Sequence, residues 1–291
     1  MSKHLTLGVD IGGTHVTAAV VDLEAQVLLP ATIVREHLDA SGSMPAVTSA
    51  WAGAMQAACG KCGTVVEKIG IAMPGPFDYE NGIALMKGQG KYDALYGQDV
   101  IAVVAEKLQL PKASIRLLND AACFLQGEVF GGAAKGYSRA IGLTLGTGLG
   151  TASYRDGLAA DADLWKMPFN DSIAEEYLSS RWFVKRFYAL TGRQEANVKA
   201  IVDLLSAEPR VLQLFQEFGA NLAAFLVPFI READPEVIVL GGNISKAYTL
   251  FAPALRAGLA QEQSLLPIKT ATLGEEAALI GAASLWNGQA M

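Results

Sequence analysis

Apolar and polar positions along this chain follow two periods, and the switches between them outline its elements. Residues 5–11, 16–22 and 26–34 are short runs rich in β-branched residues and read as three successive strands. The segment 45–59, PAVTSAWAGAMQAAC, carries apolar side chains at helical spacing, and KIGIAM at 68–73 is a further strand. A loop containing PGPFDYENG follows, then a helix near 98–109, the short strand IRLLN, and a helix through AACFLQGEVFG. After Gly136 the pattern restarts, because AIGLTLGTGLGTASYRDG is again strand, glycine turn, strand. A helical stretch from about 172 to 232 is interrupted near Gly192 and at Glu208-Pro209. EVIVLGGNIS is a buried strand ending in paired glycines; a helix, the strand PIKTATLG and the helix EEAALIGAASLW follow. Strands alternating with helices predict an α/β fold.

The restart points to an internal duplication. Set without gaps over IGLTLGTGLGTASYRD, which lies 134 residues downstream, LGVDIGGTHVTAAVVD matches at five of sixteen positions: Gly8/Gly142, Gly12/Gly146, Thr17/Thr151, Ala18/Ala152 and Asp22/Asp156. A hairpin followed by helices and strands recurs in each half. The expectation is two α/β domains, residues 1–117 and 118–274, facing each other across a cleft, each offering a glycine turn to it. The boundary is placed near 112–118, after Pro111, and the last helix, from about Glu275 to 291, is expected to pack back onto the first domain.

Composition narrows the class. Of 291 residues 51% are apolar, enough for full cores, and the net charge is −6. With a sequence pI near 5.2, this diffuse acidity argues against nucleic acid or an anionic membrane as partner. The longest apolar run, LAAFLVPFI, is about half the roughly 18–20 residues that span a bilayer. MSKHLTLGVD runs straight into a strand and does not resemble a signal peptide, so a cytoplasmic protein is expected. Cys59 and Cys62 form an isolated CGKC with no second pair and no clustered histidine, and read as ordinary reduced thiols.

The chemistry lies at the glycine turns. Glycine lets a backbone approach phosphate closely, through its missing Cβ and its tolerance of positive φ. There is no GxxxxGK[ST], and LGTGLG is followed by a strand rather than by the helix of a dinucleotide fingerprint. Nucleotide phosphates are therefore expected between two hairpin turns, Gly12-Gly13-Thr14 and Gly146-Thr147-Gly148. Asp10, beside the first turn, would repel phosphate unless Mg2+ stood between them, held directly or through water; the competing reading is an Asp capping its own turn. Asp120 ends a strand and opens a helix, where open α/β sheets place ligands. It suits a general base taking a hydroxyl proton during phosphoryl transfer, and equally a helix N-cap.

Five segments in order, VDIGGTHVTAAVVD, IAMPGPFDYENG, LLNDAACFLQGE, LTLGTGLGTA and VLGGNIS, resemble the ROK family of repressors and sugar kinases. That family belongs to the superfamily of actin-like, ribonuclease-H-like ATPase folds. The resemblance spans nearly the whole chain and implies an ATP- and Mg2+-dependent hexose or hexosamine kinase, glucokinase-like and acting at O6. It implies Asp10, Gly12, Gly13 and Thr14 as the first phosphate motif, Gly146, Thr147 and Gly148 as the second, and Gly241 and Gly242 as the adenosine motif. Asn119 would hold the sugar with backbone near Gly75, Asp120 would be the base, and a homodimer is the family expectation.

The departures are local. Where the family carries GExGH and a cysteine-rich zinc motif, this chain reads YRDGLAADADLWKMPFNDSIAEEYLSSRWF, without His or Cys. No structural zinc is expected. Glu175 aligns with a sugar-contacting Glu, and Asp163 is a stand-in for the Glu of GExGH. MKGQGKYDALYG replaces the family's sugar loop, and His15 takes the place of a common Lys. The family's repressors carry an added N-terminal helix-turn-helix, whereas this chain starts almost at its first strand. A catalytically silent sugar-binding or regulatory protein is the alternative to a kinase.

Overall fold

The computed structural model describes residues 4–262 and 266–288. The elements are β1 (Leu5–Ile11), β2 (His15–Asp22), β3 (Val27–Leu28), β4 (Val34–His37), α1 (Met44–Cys62), β5 (Ile69–Met73), β6 (Phe77–Asp78), β7 (Ile83–Ala84), α2 (Val100–Leu108), β8 (Ile115–Asn119) and α3 (Asp120–Phe130). There follow β9 (Ala140–Leu145), β10 (Leu149–Arg155), β11 (Leu158–Asp161), β12 (Pro168–Phe169), β13 (Ser172–Ile173), α4 (Ala174–Leu178), α5 (Ser180–Thr191), α6 (Val198–Asp203), α7 (Arg210–Ala233), β14 (Val237–Gly241), α8 (Tyr248–Gln261), β15 (Ile268–Thr270) and α9 (Glu276–Ser284). The expected strand 26–34 is split, because Pro30 opens a single tight turn over Pro30–Thr32 between β3 and β4. Residues 172–173 form a small hairpin with 168–169 rather than the start of a helix. The helical breaks fall as expected, α5 ending at left-handed Gly192 and α7 following Pro209. Only residues 268–270 of PIKTATLG are strand.

The chain divides into two compact units: Met1–Lys135 with Leu158–Ala160 and Glu275–Met291, and Gly136–Gly157 with Asp161–Gly274. The expected boundary near 112–118 therefore moves to 135/136. The physical reason is α3, which continues directly from β8 of the first sheet and packs on α9.

In the first unit the strand order is β3-β2-β1-β5-β8, with β1, β5 and β8 mutually parallel and β2 antiparallel to β1. In the second, β10, β9, β14 and β15 run in the corresponding order, with β9, β14 and β15 parallel. The register corrects the ungapped comparison of the two hairpins. Gly8 faces Ala19, whereas Gly142 faces Ala152. The first turn, between paired Ile11 and Val16, holds one residue more than the second, between paired Leu145 and Leu149. The matches Thr17/Thr151, Ala18/Ala152 and Asp22/Asp156 are thus one step out of structural register. The shared strand order carries the duplication instead.

Each unit has its own apolar core. Trp51, Met55, Ile69, Ile71 and Val104 fill the first, and a ring cluster of Phe183, Phe215, Phe218 and Phe251 fills the second. On the first sheet α9 lies with its backbone directly on the strands and on α3. A Cβ at Gly70 would stand 1.8 Å from the Ala282 carbonyl oxygen, and one at Gly281 1.8 Å from that of Cys123. Trp286 closes the helix end, its indole N–H donating to the Ile69 carbonyl oxygen at 3.0 Å. Gly281→Ala must separate two helix backbones, so it is expected to cost about 3 kcal/mol, the upper end of the usual overpacking range, read as a lowered denaturation midpoint. An unchanged midpoint would contradict this packing.

Candidate active site

The carboxyl ends of β1, β5 and β8 stand abreast, Asp10 opposite Ala72 and Met73 opposite Asn119. This edge of a parallel sheet is where α/β proteins bind ligands. Asn119 closes β8 and caps α3: its Oδ1 accepts from the amides of Ala121 and Ala122 at 2.8 and 3.2 Å. The capping role open to Asp120 thus belongs mainly to its neighbour. Asp120 Oδ1 accepts the Ala121 amide at 2.8 Å, and no described residue bonds its other oxygen. The Asn119 amide nitrogen donates to the Tyr79 hydroxyl at 3.2 Å, which itself donates to the Met73 carbonyl oxygen at 3.0 Å. Gly75 lies beside this pair, since a Cβ there would stand 3.2 Å from the Tyr79 hydroxyl and 3.9 Å from the Asn119 amide.

Asp10 is half-buried and Asp120 opens to solvent at the sheet edge, and Asp10 feels the charge of Asp120. Burial, then the Asp120 charge, raises the Asp10 pKa from 3.8 to about 6, against an opposing pull from Arg35. Desolvation by the surrounding protein also raises Asp120, opposed by the Ala121 amide and by Lys91. Cys123, buried among the same groups, has its thiol pushed well up by desolvation and by both acids, so it is not a thiolate nucleophile.

The β1–β2 turn is pinned from outside. The Gly12 amide donates to the His15 carbonyl oxygen at 2.9 Å, the Leu38 amide to that of Thr14 at 2.7 Å, and the buried Tyr92 hydroxyl to that of Gly12. Tyr92 sits edge-on to Trp51, and its amide donates to the Ala40 carbonyl oxygen at 2.7 Å. Neither Gly12 nor Gly13 adopts positive φ. That part of the sequence expectation does not hold. A Cβ at Gly13 would meet nothing within 4 Å, so the fold itself leaves room for a side chain there and the open approach is free for a ligand.

In the second unit the Gly146 amide donates to the Gly148 carbonyl oxygen at 3.0 Å, closing a three-residue turn. Gly241 ends β14 opposite Thr144. Gly242 has an internal requirement for glycine: its φ is +80° and a Cβ would stand 2.4 Å from the Leu145 carbonyl oxygen. Glu175 is bound within its own unit, Oε2 accepting the Leu149 amide at 3.0 Å and Oε1 receiving Arg181 Nη2 at 2.6 Å. Asp163 lies at an exposed turn, paired with Lys166 at 2.5 Å. The stretch lacking His and Cys is ordered by rings, Phe169 packing on Tyr177 and Phe225 with centroids 5.4 and 6.5 Å apart. Among the described residues no group of three or more His, Cys, Asp or Glu side chains is placed to hold a metal ion, and no helix is long and apolar enough to cross a membrane.

The structure thus gathers Asp10, Gly12, Gly13, Thr14, Gly75, Asn119 and Asp120 in the first unit, and Gly146–Gly148, Gly241, Gly242 and Glu175 in the second. Sequence reading missed Tyr79, Lys91, Tyr92 and Arg181. The signals available were an aromatic and a cation inside MKGQGKYDALYG, and an arginine six residues after Glu175.

Two α/β units of matching strand order, each with a glycine turn after its first strand, define the actin-like class of two-domain folds. The ROK family profile matches residues 6–160 and 170–289, and the chain belongs to that family. The N-acetylgalactosamine kinase AgaK of Shewanella sp. (strain ANA-3) is 26% identical over 97% of this chain and 96% of its own. The glucokinase of Thermotoga maritima is 26% identical over 98% of both chains. A ROK family glucokinase from Streptomyces griseus, solved in complex with glucose and AMPPNP, shares the fold with a TM-score of 0.75 and 24% identity, over 97% of this chain and 98% of that one.

Proposed function

We propose that this protein is an ATP-dependent sugar kinase, transferring the γ-phosphoryl group of ATP to a hydroxyl of a hexose or hexosamine. The observation that carries the reading is Asp120: a solvent-accessible carboxyl at the carboxyl edge of the sheet, one oxygen held by the Ala121 amide and the other free of described partners, with Asn119 beside it. The relatives named above are sugar kinases by name, and one solved neighbour binds glucose and AMPPNP.

In this reading Asn119 and the backbone near Gly75 hold the sugar, and Asp120 faces its reacting hydroxyl, O6 of a hexose. As that oxygen bonds to the γ-phosphorus, the bond to the β,γ-bridging oxygen breaks, ADP leaves, and Asp120 takes the hydroxyl proton. Lys91 offsets part of the desolvation of Asp120 and favours its ionised, proton-accepting form. The turns Gly12-Gly13-Thr14 and Gly146-Thr147-Gly148 are assigned to the nucleotide phosphates, and Gly241-Gly242 to adenosine.

The donor chemistry at Asp10 fits Mg2+. It is a hard oxygen donor whose ionisation is opposed by burial and by Asp120, and a divalent cation would relieve both. Asp10 would hold it directly or through water, and when bound it would neutralise charge on the transferring phosphates.

The test is ADP release in a coupled assay with MgATP and a panel of hexoses, hexosamines and N-acetylhexosamines. At least one sugar is expected to raise turnover about a hundredfold or more over the sugar-free rate, in line with positioned phosphoryl transfer. Sugar binding without turnover across the panel would instead identify a silent sugar sensor.

A further inference from the structure

Beside the second glycine turn the chain builds a brace that the sugar-kinase reading does not use. The Ser180 amide, the first of α5, donates to the Gly146 carbonyl oxygen at 2.8 Å. Arg181 Nη1 donates to the next carbonyl oxygen, that of Thr147, at 3.1 Å. Arg181 is held in turn by Glu175 at 2.6 Å and by Glu176 at 3.4 Å, and Glu176 also pairs with Lys185 at 2.9 Å. Glu175 closes the loop by accepting the Leu149 amide at 3.0 Å. Its Oε2 lies where a side chain at position 148 would go, 2.7 Å from the Cβ such a residue would carry.

Peptide planarity turns these contacts into an orientation. In a trans peptide the carbonyl and the following N–H point in opposite directions. With the Gly146 and Thr147 carbonyls fixed toward α5 and Arg181, the amides of Thr147 and Gly148 point away from them. No described residue accepts a hydrogen bond from either amide. Two adjacent, unpaired backbone donors held in a fixed direction make an anion cradle.

Resting on the kinase reading, we propose that Arg181 and Glu175 are positioning residues for ATP, which aim the Thr147 and Gly148 amides at its phosphates, and that Glu175 serves this brace rather than the sugar. The charged pair joins two helices, Glu175 from α4 and Arg181 from α5, across the extended Ser179 between them. Arg181 is 43% exposed and Glu175 21%, so replacing either leaves the unit's core intact.

The test is calorimetric binding of AMPPNP with Mg2+ in the absence of sugar, alongside steady-state kinetics, for the wild type, Arg181→Met, Arg181→Lys and Glu175→Gln. Arg181→Met and Glu175→Gln are expected to weaken AMPPNP binding and raise the KM for ATP about tenfold or more. The KM for sugar should stay within twofold, and Arg181→Lys should restore part of the affinity. Wild-type nucleotide binding matched by both variants would overturn the brace while leaving the kinase reading standing. So would a Glu175→Gln defect confined to the KM for sugar, which would return that residue to the sugar site. A wild type that binds no AMPPNP would overturn the kinase reading itself, and the brace with it.

Discussion

Asp120→Asn is expected to lower kcat by about 10²–10⁴-fold, the usual contribution of a positioned general base, while sugar affinity measured by calorimetry stays within a few-fold. The amide is isosteric and keeps an oxygen to accept the Ala121 N–H, which Asp120 now does at 2.8 Å. Asn119, the principal cap of α3, is untouched, so the helix start should survive. What the variant loses is the ability to take up a proton as the hydroxyl attacks. The wild-type pH profile carries the same assignment. Desolvation by the surrounding protein raises the Asp120 pKa, and the base works only when ionised. The acid limb of kcat/KM is therefore expected above the ordinary carboxylate range, with activity increasing as pH rises through it. A variant within tenfold of wild type would remove Asp120 from the role of base.

Asp10→Asn is expected to move stability and activity in opposite directions. The Asp10 pKa is raised from 3.8 to about 6, first by burial and then by Asp120. The folded protein thus holds this proton more tightly than the unfolded chain does. Between pH 4 and 6 the folded state binds more protons, so this group's contribution to stability falls as pH rises through that window. By pH 7.5 the full penalty is present, on the order of 3 kcal/mol at about 1.4 kcal/mol per pKa unit. The neutral amide avoids it. The ligand-free variant should show a higher denaturation midpoint than wild type at pH 7.5, and the two should converge near pH 4. At the same time MgATP turnover should fall steeply, because the only carboxylate assigned to Mg2+ is gone. A variant less stable than wild type at pH 7.5 would show that the carboxylate is relieved by groups other than the ion.

Much of this was legible in the residues because it rests on local rules. Asp10 and Asp120 were identifiable because each ends an apolar strand run, and in a parallel sheet those ends converge. The α/β alternation and the helical breaks at Gly192 and Pro209 came from period and punctuation. The domain boundary was not legible. Pro111 is a strong local signal, yet α3 belongs with the first unit through backbone-on-backbone packing at Gly281, and helix–helix proximity of that kind leaves no periodic trace. The hairpin comparison erred for a related reason, since a one-residue difference in turn length is invisible to an ungapped match. Glu175 and Arg181 show the deeper limit. Their roles follow from which carbonyls and amides they meet across a turn some thirty residues earlier in sequence, and only the folded chain displays that.

The seating of α9 has a consequence for how the protein is made. The first unit owns both the beginning of the chain and its last helix, while the second is threaded through as an insertion between them. A nascent chain can lay down β1, β2, β5 and β8 early, but the strip of sheet at Gly70 stays bare until α9 has left the ribosome. Domains generally fold as units as they emerge, so here the second to begin is the first able to finish. The strands that carry Asp10 and Asn119 are thus covered on this side only after the whole second unit has been made.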